Sequence, residues 1–241
     1  MKREDDGDQD SRSGMPNEDQ YRVIRTQKQL DHEERVKIHK QKYFAEAIPI
    51  LKELSEAGFQ AENIGDLYHK NENIKHLSDA TPILLRWLPK VKYPGLKEDI
   101  VRSLATKYAT PIAASHLIDE YVKTPNSEGS LKWAIGNSLA VVADDSVFDA
   151  IAGLTLDPDH GKSREMVVVA LGNMKRPEAV DVLIKLLTDD QVAGHALLAL
   201  RKLGAKKAQP CIEPFLKHPK TWVRNEAKKA IAKLDKLGKK S

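Results

Sequence analysis

The sequence predicts an all-α chain, a right-handed α-solenoid of about six stacked helical hairpins. Three observations carry this. A short apolar signature recurs six times, centred on Pro49, Pro82, His116, Asp149, Asp181 and Pro214, in steps of 33, 34, 33, 32 and 33 residues. In every copy the residue two before the centre and the two after it are apolar, as in Ala47, Ile50 and Leu51 or Ala179, Val182 and Leu183. A second stripe follows five of the copies at the i, i+3, i+4, i+7 spacing of one helix face. It runs Val101, Leu104, Ala105, Tyr108; Ile135, Ser138, Leu139, Val142; Val167, Ala170, Leu171, Met174; Ala196, Ala199, Leu200, Leu203; and Ala227, Ala230, Ile231, Leu234. Finally, no segment sustains the period-two alternation of a half-buried strand.

Taken in order, residues 1–20 combine Gly, Asp, Ser, Asn and Pro16 with almost no apolar side chains, which predicts a disordered acidic tail. Residues 21–42 are helix-compatible but heavily charged and predict a lead-in helix. Residues 43–241 form the repeat array with a basic C-terminal cap. Thr81-Pro82 and Thr110-Pro111 read as N-caps followed by first-turn prolines, where a missing N–H removes no bond. Gly204 and Gly238 follow the last apolar position of their helices, as left-handed caps do. Asp157-Pro158-Asp159-His160-Gly161 is the clearest inter-helix turn. Residues 60–76 fit the second stripe poorly, so the first hairpin should have a short or irregular second helix.

Charge is uneven. Residues 1–20 carry 3 basic and 7 acidic side chains, a net −4, whereas residues 202–241 carry 12 basic and 3 acidic, a net +9. A basic end attracts acidic protein or nucleic acid, and a terminal repeat must also be polar on its open face to stay soluble. The longest apolar runs, such as Met166–Leu171, fall far short of the ~20 residues a spanning helix needs. The N-terminus lacks the apolar core of a secretory signal. A single cysteine, Cys211, lies in an apolar helix face and predicts an inert packed thiol in a reducing, cytoplasmic setting.

The first-helix pattern Ala-x-Pro-x-Leu, the turn carboxylates Asp157 and Asp189, and the basic residues Arg164 and Arg224 opening second helices resemble HEAT repeats of the short bacterial type. Trp222 to Leu234 resembles that pattern most closely. The resemblance covers roughly residues 43–238. It implies an armadillo-like helical scaffold that binds another protein on its concave face, and it brings no catalytic residue. In the second hairpin Glu98 takes the basic position and in the fifth Ala193 does, which breaks the Asp–Arg ladder.

Chemistry outside that reading finds little support. His32-Glu33 is the only His-Glu pair, and His32/His39 and His69/His76, each seven apart, lack a third ligand at metal spacing. Asp157-x-Asp159-x-Gly161 lacks the remaining oxygens of a calcium loop. There is no nucleophile elbow and no phosphate-binding glycine loop. No cofactor or metal is therefore expected. The enzymatic alternative is a DNA glycosylase of the HEAT-like type, with nucleic-acid binding as its broader form, because basic and aromatic residues do meet in one column. A HEAT-like lyase acting on a pigment cofactor is a further alternative.

That column defines the candidate binding residues: Lys132, Trp133, Arg164 and Arg224, extended by Lys228 and Lys229. They precede or flank the stripe, so their side chains are expected to face solvent. The competing structural reading pairs Arg164 and Arg224 with turn carboxylates such as Asp157 and Asp189. Trp87 occupies an apolar helix position and is expected in the core.

Overall fold

The computed structural model describes residues 18–69, 77–110 and 112–238, so residues 1–17, the body of the expected tail, lie outside it. The chain divides into two compact units, residues 1–45 and 46–241. In the first, the described residues belong to helix α1 (Glu18–Glu56), which covers the charged 21–42 segment. Its side chains from Gln20 to Lys42 are all exposed, as follows from apolar residues too scattered to build one face.

The second unit is an all-helical solenoid; no strand occurs among the described residues. After the last turns of α1 come α2 (Asp66–His69), α3 (Leu77–Trp87), α4 (Pro94–Ser103), α5 (Ile112–Lys123) and α6 (Gly129–Val142). Then follow α7 (Phe148–Leu156), α8 (Arg164–Leu171), α9 (Glu178–Leu186), α10 (Ala193–Leu203), α11 (Gln209–Ile212) and α12 (Thr221–Gly238). The four-residue α2 is the described part of the first hairpin's second half; residues 70–76 lie outside the described residues. The second helices α4, α6, α8, α10 and α12 pack each on the next as one layer, while α3 meets α5 and α7 meets α9 in the other.

The predicted stripe is the seam of the second layer. Ile135, Leu139, Val142, Val167, Ala170, Leu171, Ala196, Ala199, Leu200, Ala227 and Ala230 are fully buried. The alanines carry almost no side chain, so neighbouring helices can approach closely. Two hairpins depart from the expected register by one residue. In α4 the inward set is Leu96, Ile100, Ser103 and Leu104, the counterpart of Leu131, Ile135, Ser138 and Leu139 in α6, and Tyr108 is left exposed. In α7 the inward residues are Phe148, Ile151 and Ala152 rather than Val147, Ala150 and Ile151. Both serines certify the first match: Ser103 donates to Ile64 O (3.2 Å) and Ser138 to Val101 O (2.9 Å), each a carbonyl of the preceding hairpin.

The punctuation holds in part. Gly204 has φ 67°, the left-handed cap expected, while α12 runs through Gly238. Pro82 lies inside α3, not in its first turn, and Pro111 is outside the described residues. Asp157 closes its turn by accepting from Asp159 N (2.9 Å), and a 3-10 segment, Pro158–Ser163, leads into α8. In the last hairpin α11 gives way to a 3-10 turn, Glu213–Lys217, because Pro214 has no N–H to continue the helix.

Candidate functional site

The basic column exists, but most of it turns inward. Lys132 and Arg164 are each only 2% exposed, which corrects the expectation that they face solvent. Lys132, the fourth residue of α6, sends Nζ back to Thr124 O (2.9 Å) at the end of α5 and lies 4.9 Å from the Tyr121 ring centroid. Arg164 donates Nη1 to Thr155 O (3.0 Å), Nε to Gly161 O (2.9 Å) and Nη2 to Asp189 (2.7 Å). Arg224, the fourth residue of α12 and half-buried, donates Nη1 to His218 O and Pro219 O (both 2.7 Å) and Nη2 to Thr221 Oγ1 (3.0 Å). The physical reason is common to all three. The last carbonyls of a helix have no intrahelical donor, and a cation from the returning helix satisfies them and the helix dipole together.

The register of α4 adds a member that the sequence reading missed. Lys97, not Glu98, is the fourth residue of that helix, and it reaches Glu120 of α5 at 2.5 Å with both side chains largely buried. The serine-leucine pairs at 103–104 and 138–139 were the signal that could have located it. Glu98 instead binds Arg102 (2.6 Å) and accepts from Ser130 (2.9 Å). Asp189 closes the fifth turn through Gln191 N (2.9 Å) while holding Arg164. Burial opposes its charge, but the hydrogen bonds from Gln191 and Arg164 outweigh that and hold the carboxyl below its ordinary range. The structural reading is thus right for Arg164, whereas Arg224 binds carbonyls rather than a carboxylate.

The remaining candidates face water. Trp133 is 44% exposed on α6, its backbone carbonyl accepting from Asn137 (3.1 Å). Lys228 and Lys229 are exposed on α12, with Lys229 bound to Glu226 (2.6 Å), which also takes Arg201 (3.3 Å). Trp222 is equally exposed but otherwise placed: its benzo edge lies over Gly194 of α10, and its ring is 5.3 Å from that of His195. Burial pushes the His195 imidazole below its usual pKa, against the pull of Glu165 at 4.0 Å. The structure therefore leaves Trp133 exposed on α6 and Lys228 and Lys229 exposed on α12, three hairpins apart, and withdraws Lys132 and Arg164 from solvent.

Two further expectations change. Cys211 is exposed, because in the short α11 it is Ile212 that points inward. Trp87 is half-buried and donates to Glu53 (2.7 Å), so it is an edge residue rather than core. Among the described residues no three His, Cys, Asp or Glu side chains come together as metal ligands would. No helix among them is long and apolar enough to cross a membrane.

The family model for the PBS lyase HEAT-like repeat matches residues 163–189, the stretch holding Arg164, α8, α9 and Asp189. No curated protein matches the sequence. Among solved structures, the crystal structure of an engineered protein is 19% identical with a TM-score of 0.45, over 68% of this chain and 84% of that one. A designed armadillo repeat protein in complex with the peptide (KR)4 is 18% identical with a TM-score of 0.48, over 80% of this chain and 98% of that one. Five successive second helices in one layer and the Arg164–Asp189 link between neighbouring hairpins give the chain a HEAT/armadillo-like repeat fold, of which residues 163–189 match one PBS lyase HEAT-like repeat.

Proposed function

We propose that this protein is a cytoplasmic scaffold that holds a segment of another protein across the solvent face of its second helices. The observation that carries the reading is Trp133, an aromatic side chain 44% exposed in the middle of a layer whose other side is the closed core. A large indole held open on a rigid helix has few rotamers to lose and supplies the contact area typical of interface anchors. Lys228 and Lys229 extend the same layer at the cap and favour a partner with carboxylates beyond its apolar anchor point. A lone exposed Cys211 suits a compartment where thiols stay reduced.

The nucleic-acid reading loses support from the same geometry. A duplex-binding column needs its cations outside, and Lys132 and Arg164 are committed to carbonyls inside. Display of a random peptide library against the immobilised protein tests the proposal. Enriched peptides should lose binding to Trp133→Ala and weaken with Lys228→Glu/Lys229→Glu. Peptides indifferent to both variants, or tight salt-sensitive binding of a short DNA duplex in their place, would overturn it.

A further inference from the structure

We propose that the joint between the third hairpin (α5–α6) and the fourth (α7–α8) is an acid-sensitive hinge, released when His160 takes up a proton. The turn Pro158–Ser163 carries His160 against α5, where its ring meets Tyr121 edge-on at 5.1 Å. Tyr121 is fully buried, and its hydroxyl has no hydrogen-bond partner among the described residues. The ring of Tyr121 also carries the Lys132 ammonium, 4.9 Å from its centroid. The His160 side chain is 14% exposed. The charged and titratable groups that act on it are Tyr121 from α5, Lys132 from α6, Asp157 and Asp159 from its own turn, and Arg164 from α8; the segment Asn126–Glu128, which also packs on the turn, meets it through the neutral amide of Asn126. Two of these are buried cations already bound to carbonyls. The nearest carboxylate, Asp157, is 3.7 Å away and half in water.

A proton on His160 therefore makes a third cation in a pocket that can compensate one poorly. Burial first, then the Lys132 charge, hold its pKa below the ordinary value, with Asp157 opposing. The fold thus prefers the neutral ring. Its contribution is present at neutral pH and is lost as pH falls through and below the ordinary histidine range near ~6.5. At its edge the turn also accepts a hydrogen bond from the third hairpin, Asn126 Nδ2 to Asp159 O (2.7 Å). The seam between α6 and α8 is lined by Ile135, Leu139, Val142, Val167, Ala170 and Leu171, none of which titrates. In a solenoid each hairpin touches only its neighbours, so weakening one edge opens one joint and leaves both sides folded.

Hydrogen exchange at about pH 7.5 and about pH 5, corrected for the intrinsic rate, reads this directly. In acid, residues 121–132 and 156–164 should lose protection several-fold while residues 178–203 keep theirs. His160→Gln should abolish the acid effect, and His195→Gln should leave it intact. Should His160→Gln be loose at both pH values, Lys132→Met decides: removing the facing cation should shrink the acid effect, and an unchanged effect rejects the hinge. Equal protection at both pH values in the unaltered protein, or a His160 ring that titrates in NMR at the ordinary histidine value, would overturn the proposal.

Discussion

The benzo edge of Trp222 fills the space that any side chain on Gly194 would need, so the seam between α10 and α12 is set by the absence of one methyl group. Gly194→Ala should raise helix propensity by about 1 kcal/mol, yet the rigid indole has to be displaced, an overpacking penalty of about 1–3 kcal/mol. The expected outcome is a net loss of stability in urea denaturation. The double variant with Trp222→Ala should lose less than the sum of the two single losses, the non-additivity that marks a direct contact.

Trp133 and Trp222 are matched in exposure but not in role. Trp133→Ala should cost less stability than Trp222→Ala, because Trp222 also fills the seam over Gly194 and packs on the His195 ring. Trp222→Ala should lower it by about 2 kcal/mol, toward the lower end for a half-packed aromatic. Parallel thermal melts check the contrast, and equal losses would contradict it.

Removing the inward cations should reveal unequal worth. Arg164→Ala removes the side-chain donor of Thr155 O and the ion-pair partner of Asp189, an expected loss of about 3 kcal/mol. Arg224→Ala, at a half-buried site in the final hairpin, should lower stability by about 1 kcal/mol. Equilibrium denaturation of the two single variants measures both.

Asp189 should add an acid limb to the stability profile. Its folded-state pKa is depressed, so its contribution is complete above the unfolded value of ~3.9 and disappears as pH falls through the folded one. Asp189→Asn should therefore be less stable near neutrality and lose less than the unaltered protein between about pH 5 and about pH 2. A parallel dependence in the two proteins would show that the carboxylate does not hold Arg164 in solution.

The repeat, its step and its apolar stripes were legible because each buried position repeats on a fixed period. What periodicity cannot report is a slip of one residue where both neighbours are apolar. Ile100 and Val101 are both fully buried, so only the serine that follows, with its bond to Ile64 O, fixes the register of α4. The same slip hid Lys97. The exposed candidates Trp133, Lys228 and Lys229 were read correctly as outward-facing. Lys132 and Arg164 were not, because a long aliphatic stem lets a cation beside the stripe fold back along the hairpin to a carbonyl. Whether it does so depends on the turn, and turn geometry leaves no periodic trace. Cys211 was misplaced for a related reason: Pro214 cuts short the helix whose apolar face the sequence pattern assigns to it.

The inward cations bridge very short stretches of chain: 8 residues from Lys132 to Thr124, 9 from Arg164 to Thr155 and 6 from Arg224 to His218. Closing a loop of that size removes little chain entropy, and the bond forms before any distant part of the molecule has to arrive. Each of these hairpins carries its own clasp, so folding can begin at α5–α6, α7–α8 or the C-terminal end and spread by adding neighbours. A molecule so built from near-range contacts belongs among fast folders despite its length, with the order of assembly set by which clasp closes first.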